Sequence, residues 1–418
     1  MALPIQILIA LILAAIAGSL AGTTGQVLGV SALAIFDFIG TLFLNALMMI
    51  VIPLVVSAII LGVSSIGGQG GFSRLGFKTL GYYLTTGFIA VVVGLTLVNT
   101  IQPGVTDTEP PQLEANAQIM TAVEGRGSGD LFEIFLRMVP DNIFGAAVEM
   151  QMLGLIFFSI VFGFFLSKIS GPGRDAMQNF WQGLFDVMML ITQWVMKFAP
   201  YGVFGLVAAS VARTGFDQFG ALAWFFVTVV LALAVHFLIV MPLILRFVGG
   251  VQSPWQHYRA MAPALLTAFS TSSSASTLPI TLANIEHRAG VSNRVSSFVL
   301  PLGATVNMDG TALFECVAVL FIAQLFGVEL SFAQQVLVVV LALATSIGVA
   351  GIPSASLVAI SVILLAVGLP LEALGLLLVV DRLLDMMRTS VNIFSDSVGA
   401  VVVANLEGEK ATYPISGN

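Results

Sequence analysis

A polytopic all-α membrane protein is the fold class this sequence predicts, and three observations predict it. Of 418 residues, 58% are hydrophobic and only 9% are charged, where a soluble domain carries about 25% charged residues. The mean hydropathy is +1.04. Apolar stretches of about 18 residues or more recur along the chain, each long enough to cross the hydrocarbon layer. The short alternating strands of a membrane barrel are not seen in the sequence. A net charge of −7 argues against nucleic-acid binding. The single cysteine, Cys316, leaves no intramolecular disulfide and reads as a small buried hydrophobe.

Taken in order, residues 3–22 lack a basic leader and read as a first membrane helix rather than a cleaved signal. A short polar, glycine-containing turn leads to an apolar run over 31–65, in which Pro53 is expected to kink the helix. The link GGQGG (67–71) precedes Arg74 and Lys78, and a third segment spans 77–102. The long hydrophilic stretch 103–130, with Pro110, Pro111 and several acids, reads as an exposed loop. Further spans are expected at 140–169, 177–211 and 219–249. Arg74, Lys78, Lys168, Arg174, Arg246 and Arg259 fall on one side of this ladder, and Arg126, Arg137 and Arg213 on the other. Positive charge collects on the cytoplasmic side, so the first group and the N-terminus are assigned there.

From residue 260 the pattern changes. Segment 260–285 is interrupted by FSTSSSAST (269–277), segment 296–326 by Asn307-Met308-Asp309-Gly310-Thr311, and segment 333–368 by Gly348, Gly351, Pro353, Ser354 and Ser356. Non-helical backbone at membrane depth must be buried in protein or line a wet cavity. Re-entrant hairpins around a broken helix are therefore expected, as in secondary transporters.

The last apolar segment carries DRLLDMMRTSVNIFSD (381–396). Asp381, Asp385, Arg388, Thr389, Asn392 and Asp396 fall on one helical face at about 100° per residue. A charge at bilayer depth costs roughly 2.5–3.5 kcal/mol even on the lenient scales, so this stripe must face inward. Asp385 suits an ammonium, Arg388 a carboxylate, Asn392 a second carboxylate, and Asp381 and Asp396 small hard cations. The stripe thus fits an acidic amino acid with ions. The plainer alternative is an ion-pair network that only holds helices together, a task that apolar packing performs at little cost.

SSSASTLPIT, LPLGATVNMDGTAL, SIGVAGIP and DRLLDMMRTSVNIFSDSVGA, in this order, resemble the glutamate transporter family, the dicarboxylate/amino acid:cation symporters. The likeness is strongest over 260–405 and extends weakly through YYLTTGF (82–88) and MVPDNIFGA (138–146). It implies a homotrimer of protomers with eight membrane helices and two re-entrant hairpins, at about 254–287 and 332–368. Residues 1–76 and 131–218 would be scaffold. Residues 77–130, a helix with an extracellular loop, and 219–418 would form a transport domain moving as an elevator. The implied location is the cell's inner (plasma) membrane, with both termini cytoplasmic.

By the same resemblance, Arg388 with Thr311 holds the substrate's side-chain carboxylate, and Asp385 accepts its amino group. Asn392 and Thr389 serve its α-carboxylate and amino end, and Ser274 with its neighbouring backbone amides matches the family's first hairpin tip. The implied cargo is L-aspartate or L-glutamate with sodium ions, and no organic cofactor. One sodium site would use Asp396 with carbonyls of Gly303, Asn307 and Asn392; a second, Thr305, Met308 and carbonyls of Ser346, Ile347 and Val349. A third would use Tyr83, Thr86, Asn307 and Asp309. Glu315 matches a glutamate of proton-coupled members, and a buried carboxyl can carry a proton. Four departures stand out. Gly87 lies where a hydroxyl is usual, Ala275 replaces a serine, Ser272 and Met386 occupy the family's two arginine positions, and an arginine appears instead at Arg382.

Among weaker signals, His236 reads as a helix-packing or interfacial residue rather than a relay, and His257 and His287 as exposed loop neighbours. Asp186 and Lys197 read as snorkelling or interhelical partners, Glu149 as scaffold lining, and Met48 and Met49 as packing. No GxxxxGK[ST] suggests an ATP-driven pump, and the serine-rich tip has no accompanying His–Asp pair, so an enzyme is not expected. The competing readings are a C4-dicarboxylate symporter and a substrate-gated anion channel.

Overall fold

The computed structural model describes residues 3–27, 29–68, 74–105, 139–149, 151–214, 217–348 and 356–413. The hydrophilic stretch from residue 106, Arg126, Arg137, and the second interruption from Val349 to Ala355 lie outside the described residues. The chain is mostly helical: α1 (Leu3–Ala21), α2 (Ala32–Gly68), α3 (Arg74–Ile101), α4 (Ile143–Val148), α5 (Met152–Leu166), α6 (Pro172–Met196) and α7 (Ala199–Thr214). Then follow α8 (Asp217–Val235, a π-helical turn at His236–Val240, and Met241–Phe247), α9 (Pro254–Thr271), α10 (Ser274–Arg288), α11 (Asn293–Val306) and α12 (Asp309–Leu325). Last come α13 (Phe332–Gly348), α14 (Ser356–Val367) and α15 (Leu374–Leu406).

Among the described residues, four stretches are long and apolar enough to cross a membrane: Arg74–Ile101, Gly220–Phe247, Asn293–Leu325 and Leu374–Leu406. The expected single span at 177–211 is instead two helices, α6 and α7, meeting at 57°. The expected span at 140–169 is likewise divided, because α4 stops at Val148 and α5 starts at Met152 around the polar Glu149 and Gln151. The polar turn after α1 holds a small antiparallel ladder, Gln26 opposite Ser31 and Val27 opposite Val30. Helix α2 continues through Pro53, and Ser57 Oγ donates to the Pro53 carbonyl at 2.6 Å.

Two hydrophobic cores organise the packing, and α15 belongs to both. Its first half, from Leu374 to Val391, joins a core with α2, α7, α8, α12, α13 and α14. Its second half, from Ile393 to Ala404, joins a core with α3, α9, α10 and α11. A helix this polar is stable only when wrapped, and most of α15 is buried. Nearly all of α12 is buried as well, which explains why its sequence is apolar on every side.

The end of α15 is fastened by charge. Lys78 Nζ donates to Glu407 Oε1 at 2.7 Å and also to the Leu406 carbonyl, Arg294 Nη2 lies 3.2 Å from Oε2, and Arg74 Nε 3.7 Å from Oε1. The Lys78 bond, supported by the neighbouring cations, holds the Glu407 carboxyl below the usual glutamate range. A depressed folded value means the cluster stabilises fully above the unfolded range, near pH 4.5, and ceases to do so as pH falls through the folded value. Thermal melts of detergent-purified protein should therefore weaken slightly below about pH 4.5. Glu407→Gln should melt slightly lower at pH 7 and lose that acid-side drop. An unchanged acid slope in the variant would assign it to other carboxylates.

Beyond Glu407 the chain turns back along the base of the α9–α10 hairpin. Ser292 Oγ donates to Glu409 Oε1 at 2.9 Å, Thr412 N to the Ala289 carbonyl at 3.0 Å, and the Tyr413 hydroxyl lies 3.0 Å from His257 Nδ1. His257 is not exposed, as the sequence had suggested, but fully buried, with Nε2 2.9 Å from Ser397 Oγ. Reading it as a loop neighbour missed the returning tail that covers it. His287 is exposed, as expected.

Candidate functional site

Two of the three interruptions of regular helix lie among the described residues and frame the candidate site. The first is the tip of the α9–α10 hairpin, where Ser272 takes a left-handed φ of 51° and Ser273 caps α10 by accepting from Ser276 N at 3.2 Å. Ser274, at the start of α10, is buried. The second is the break between α11 and α12, where Asn307 (φ −102°, ψ 83°) and Met308 (φ −114°, ψ 61°) leave the helical region. A helix start exposes backbone N–H groups, and here Gly310 N donates to Asn392 Oδ1 at 2.8 Å. Glycine is required at 310, since a Cβ there would approach the Arg388 carbonyl to 2.8 Å. The third, between α13 and α14, falls outside the described residues.

On α15 the predicted stripe does face inward. Arg388 is fully buried, and its Nη2 donates to Asp385 Oδ1 at 2.8 Å and Asp381 Oδ1 at 3.0 Å. Its guanidinium lies over the Phe314 ring at 3.9 Å, a cation–π contact. Arg388 Nε and Nη1 have no hydrogen-bond partner among the described residues. Asn392 Nδ2 donates to Thr311 Oγ1 at 3.1 Å, while the Thr389 hydroxyl donates to the Asp385 carbonyl one turn back. Thus Thr311, Asp385, Arg388, Thr389 and Asn392 come together across α12 and α15. Arg382, whose direction the sequence left open, points Nη1 towards Asp385 Oδ2 at 3.8 Å.

Towards α3 lies a second polar group. Thr86 Oγ1 is 3.4 Å from both Asn307 Oδ1 and Asp309 Oδ1. Asn307 Nδ2 donates to Asp396 Oδ1 and Ser395 Oγ, each at 3.0 Å. Gly303 is packed against this carboxylate, so that a Cβ there would lie 2.5 Å from Asp396 Oδ1. The Tyr83 hydroxyl donates to the Val299 carbonyl at 2.6 Å. Tyr83, Gly87, Asn307, Met308, Asp309 and Ser346 line a cavity of about 20 Å³ available to a water-sized particle, room for one. Of the residues expected there, Thr305 is exposed and donates to the Leu302 carbonyl at 3.1 Å, away from that lining. Val349 and the Ile347 side chain lie outside the described residues. Gly87 faces Asp309, where an added Cβ would sit 3.5 Å from Oδ1.

Sequence reasoning read His236 as a packing or interfacial residue and did not find its partner. It is fully buried, and its Nε2 lies 3.1 Å from Asp309 Oδ2, which also accepts from Ser395 Oγ at 2.6 Å. A histidine inside an apolar segment was the available signal, and its partner is 73 residues away. Glu315 is fully buried next to Phe314, and its Oε2 accepts from Thr345 Oγ1 at 2.8 Å. Cys316 is buried and free. Asp186 pairs within its own helix, accepting from Gln182 Nε2 at 2.9 Å, rather than between helices.

The charge balance decides what this interior can hold. Asp309, Glu315, Asp381, Asp385 and Asp396 are buried among the described residues, against one buried guanidinium, Arg388. Excess carboxylate in a low-dielectric interior is costly unless cations offset it. Broken apolar helices around a buried, anion-rich polar centre define an integral membrane protein with a polar interior of net negative charge.

The chain belongs to the sodium:dicarboxylate symporter family, whose model matches residues 3–406. It is 34% identical to the proton/sodium-glutamate symport protein of Bacillus caldotenax over 413 residues, 97% of this chain and 94% of the relative. It is also 34% identical to the proton/glutamate-aspartate symporter of Escherichia coli (strain K12) over 372 residues, 88% of this chain and 84% of the relative. To an excitatory amino acid transporter of Caenorhabditis elegans it is 36% identical over 414 residues, 88% of this chain and 80% of the relative.

Proposed function

We propose that this protein is a secondary transporter that imports L-aspartate or L-glutamate with sodium ions. The observation that carries the reading is the pairing of a buried guanidinium, still offering Nε and Nη1, with surplus buried carboxylates a few residues away. The guanidinium would take the substrate's side-chain carboxylate with Thr311, and Asp385 its ammonium. Asn392, Thr389 and the Ser274 tip would complete the pocket, whose N–H groups at a helix start favour an anion. Sodium ions would occupy the oxygens of Asp396, Asn307 and Gly303, and those of Thr86, Asp309 and Tyr83. A further site would draw on Met308, Ser346, Ile347 and Val349, with Thr305 turning inward to join it. The relatives' printed functions, symport of glutamate or aspartate with protons or sodium, support the same reading.

On this reading the protein works in the plasma membrane as a homotrimer of eight-helix, two-hairpin protomers, with both termini cytoplasmic. Residues 77–130 and 219–418 move as an elevator against 1–76 and 131–218. Clustering of Arg74, Lys78 and Arg294 at the Glu407 end is the basic asymmetry expected of a cytoplasmic face. Glu315 would carry a proton beside the sodium ions.

The test is uptake of labelled L-aspartate into liposomes with sodium, proton and potassium gradients imposed singly. An inward sodium gradient should drive accumulation, and an inward proton gradient should raise it further. Glu315→Gln should keep sodium-driven uptake and lose its dependence on external pH. Retention of the wild-type pH profile would remove Glu315 from the proton path. Uptake indifferent to sodium would overturn the main reading.

A further inference from the structure

The two oxygens of Asp309 have different surroundings. Oδ1 faces Thr86 Oγ1 at 3.4 Å and the space beside Gly87. Oδ2 accepts from Ser395 Oγ at 2.6 Å and meets His236 Nε2 at 3.1 Å. Opposite a carboxylate, Nε2 must be the donor. His236 therefore spends its one directed hydrogen bond among the described residues on Oδ2, not on the oxygen that faces Thr86 and Gly87.

The backbone around His236 is arranged for this contact. His236 opens the π-helical turn of α8, and the Met241 amide closes it by donating to the His236 carbonyl. A π turn inserts an extra residue and shifts the face that follows it by about 100°; such turns concentrate at functional positions. This one is held from outside. The Tyr258 hydroxyl, on α9, donates to the Phe237 carbonyl inside the turn. The Phe237 ring packs against those of Tyr258 and Phe394, with centroids 5.1 Å and 4.7 Å away. A histidine that only filled space would need neither a carboxylate partner nor an irregular helix to reach it.

We propose that His236 is a positioning residue for the cation site. By fixing Oδ2 together with Ser395, it keeps Oδ1 aimed at the Thr86 hydroxyl and the Asn307 amide oxygen, so that three oxygens face one point in or beside the small cavity. The proposal rests on the reading of Asp309 as a sodium ligand. Losing the outer partner of a metal-binding carboxylate typically lowers metal affinity by about 10–100-fold.

The experiment uses the full chain in liposomes, with labelled L-aspartate saturating and external sodium varied. His236→Gln places an amide donor near the position of Nε2, and His236→Leu keeps the volume without a donor. The Leu variant should need about tenfold more sodium for half-maximal uptake, and the Gln variant no more than about threefold. Sodium-dependent protection against thermal unfolding of the purified proteins should shift in the same order, a readout that does not require transport. If the Leu variant does not fold, Gln against His236→Asn, whose shorter amide falls short of Oδ2, gives the comparison. An unchanged sodium requirement in Leu, or Gln as impaired as Leu, overturns the proposal while leaving sodium-coupled transport standing. Wild-type uptake and stability both indifferent to sodium would instead overturn the functional reading, and this proposal with it.

Discussion

Arg388→Ala is expected to reduce L-aspartate uptake by at least about 100-fold. Removing one partner of a buried, hydrogen-bonded charge pair costs roughly 3–5 kcal/mol, and each 1.4 kcal/mol is a factor of ten. Arg388 is the shared cation of Asp381 and Asp385, so the alanine variant leaves two buried carboxylates without their guanidinium and Phe314 without its stacked cation. Arg388→Lys should recover only part of the activity, because a point-like ammonium cannot bridge Asp381 and Asp385 while still presenting free N–H groups. Uptake per folded molecule is the measurement. A variant that melts at lower temperature yet transports at the wild-type rate would mark the charges as a helix-holding network, the plainer of the two sequence readings.

Asp385→Asn separates amino acid from dicarboxylate. Asp385 Oδ1 bonds Arg388 and Oδ2 faces Arg382, so the residue balances two cations even before a third, the substrate ammonium, is added. An amide keeps the shape and loses the charge. Aspartate uptake should fall by about 100-fold, the weight of one buried charge-assisted contact of roughly 2–5 kcal/mol. Succinate carries no ammonium, and its ability to compete with aspartate should persist or improve relative to the amino acid. Equal losses for both compounds would mean that Asp385 serves the protein rather than the solute. If the wild type carried succinate in preference to aspartate, the family's dicarboxylate branch would be the better assignment.

Much of this site could be read from residue order. The stripe on α15 was legible because burying charge in a membrane has few solutions, and the period of a helix says which residues share a face. The hairpin tip at Ser272–Ser273 and the break at Asn307–Met308 were legible because polar residues interrupt apolar runs there. Periodicity does not report partners across space. It could not say that Arg388 would lie against Phe314, that Arg382 would turn to Asp385, or that His236 would find Asp309. His257 was misread for the same reason, since its partners Ser397 and Tyr413 are remote in sequence. The bend between α6 and α7 was missed because an apolar run of sufficient length looks like one span whether or not it folds at Lys197 and Phe198.

The tail that returns across the hairpin base also bears on how the molecule is made. His257 leaves the ribosome 156 residues ahead of Tyr413. At the usual elongation rates of about 5–20 residues per second, that is an interval of roughly 8–30 s. Throughout it, the imidazole of the α9–α10 hairpin awaits Ser397 and Tyr413 from later in the chain. Contacts of such long range are slow to close, so the base of this hairpin is sealed only after the tail has been made.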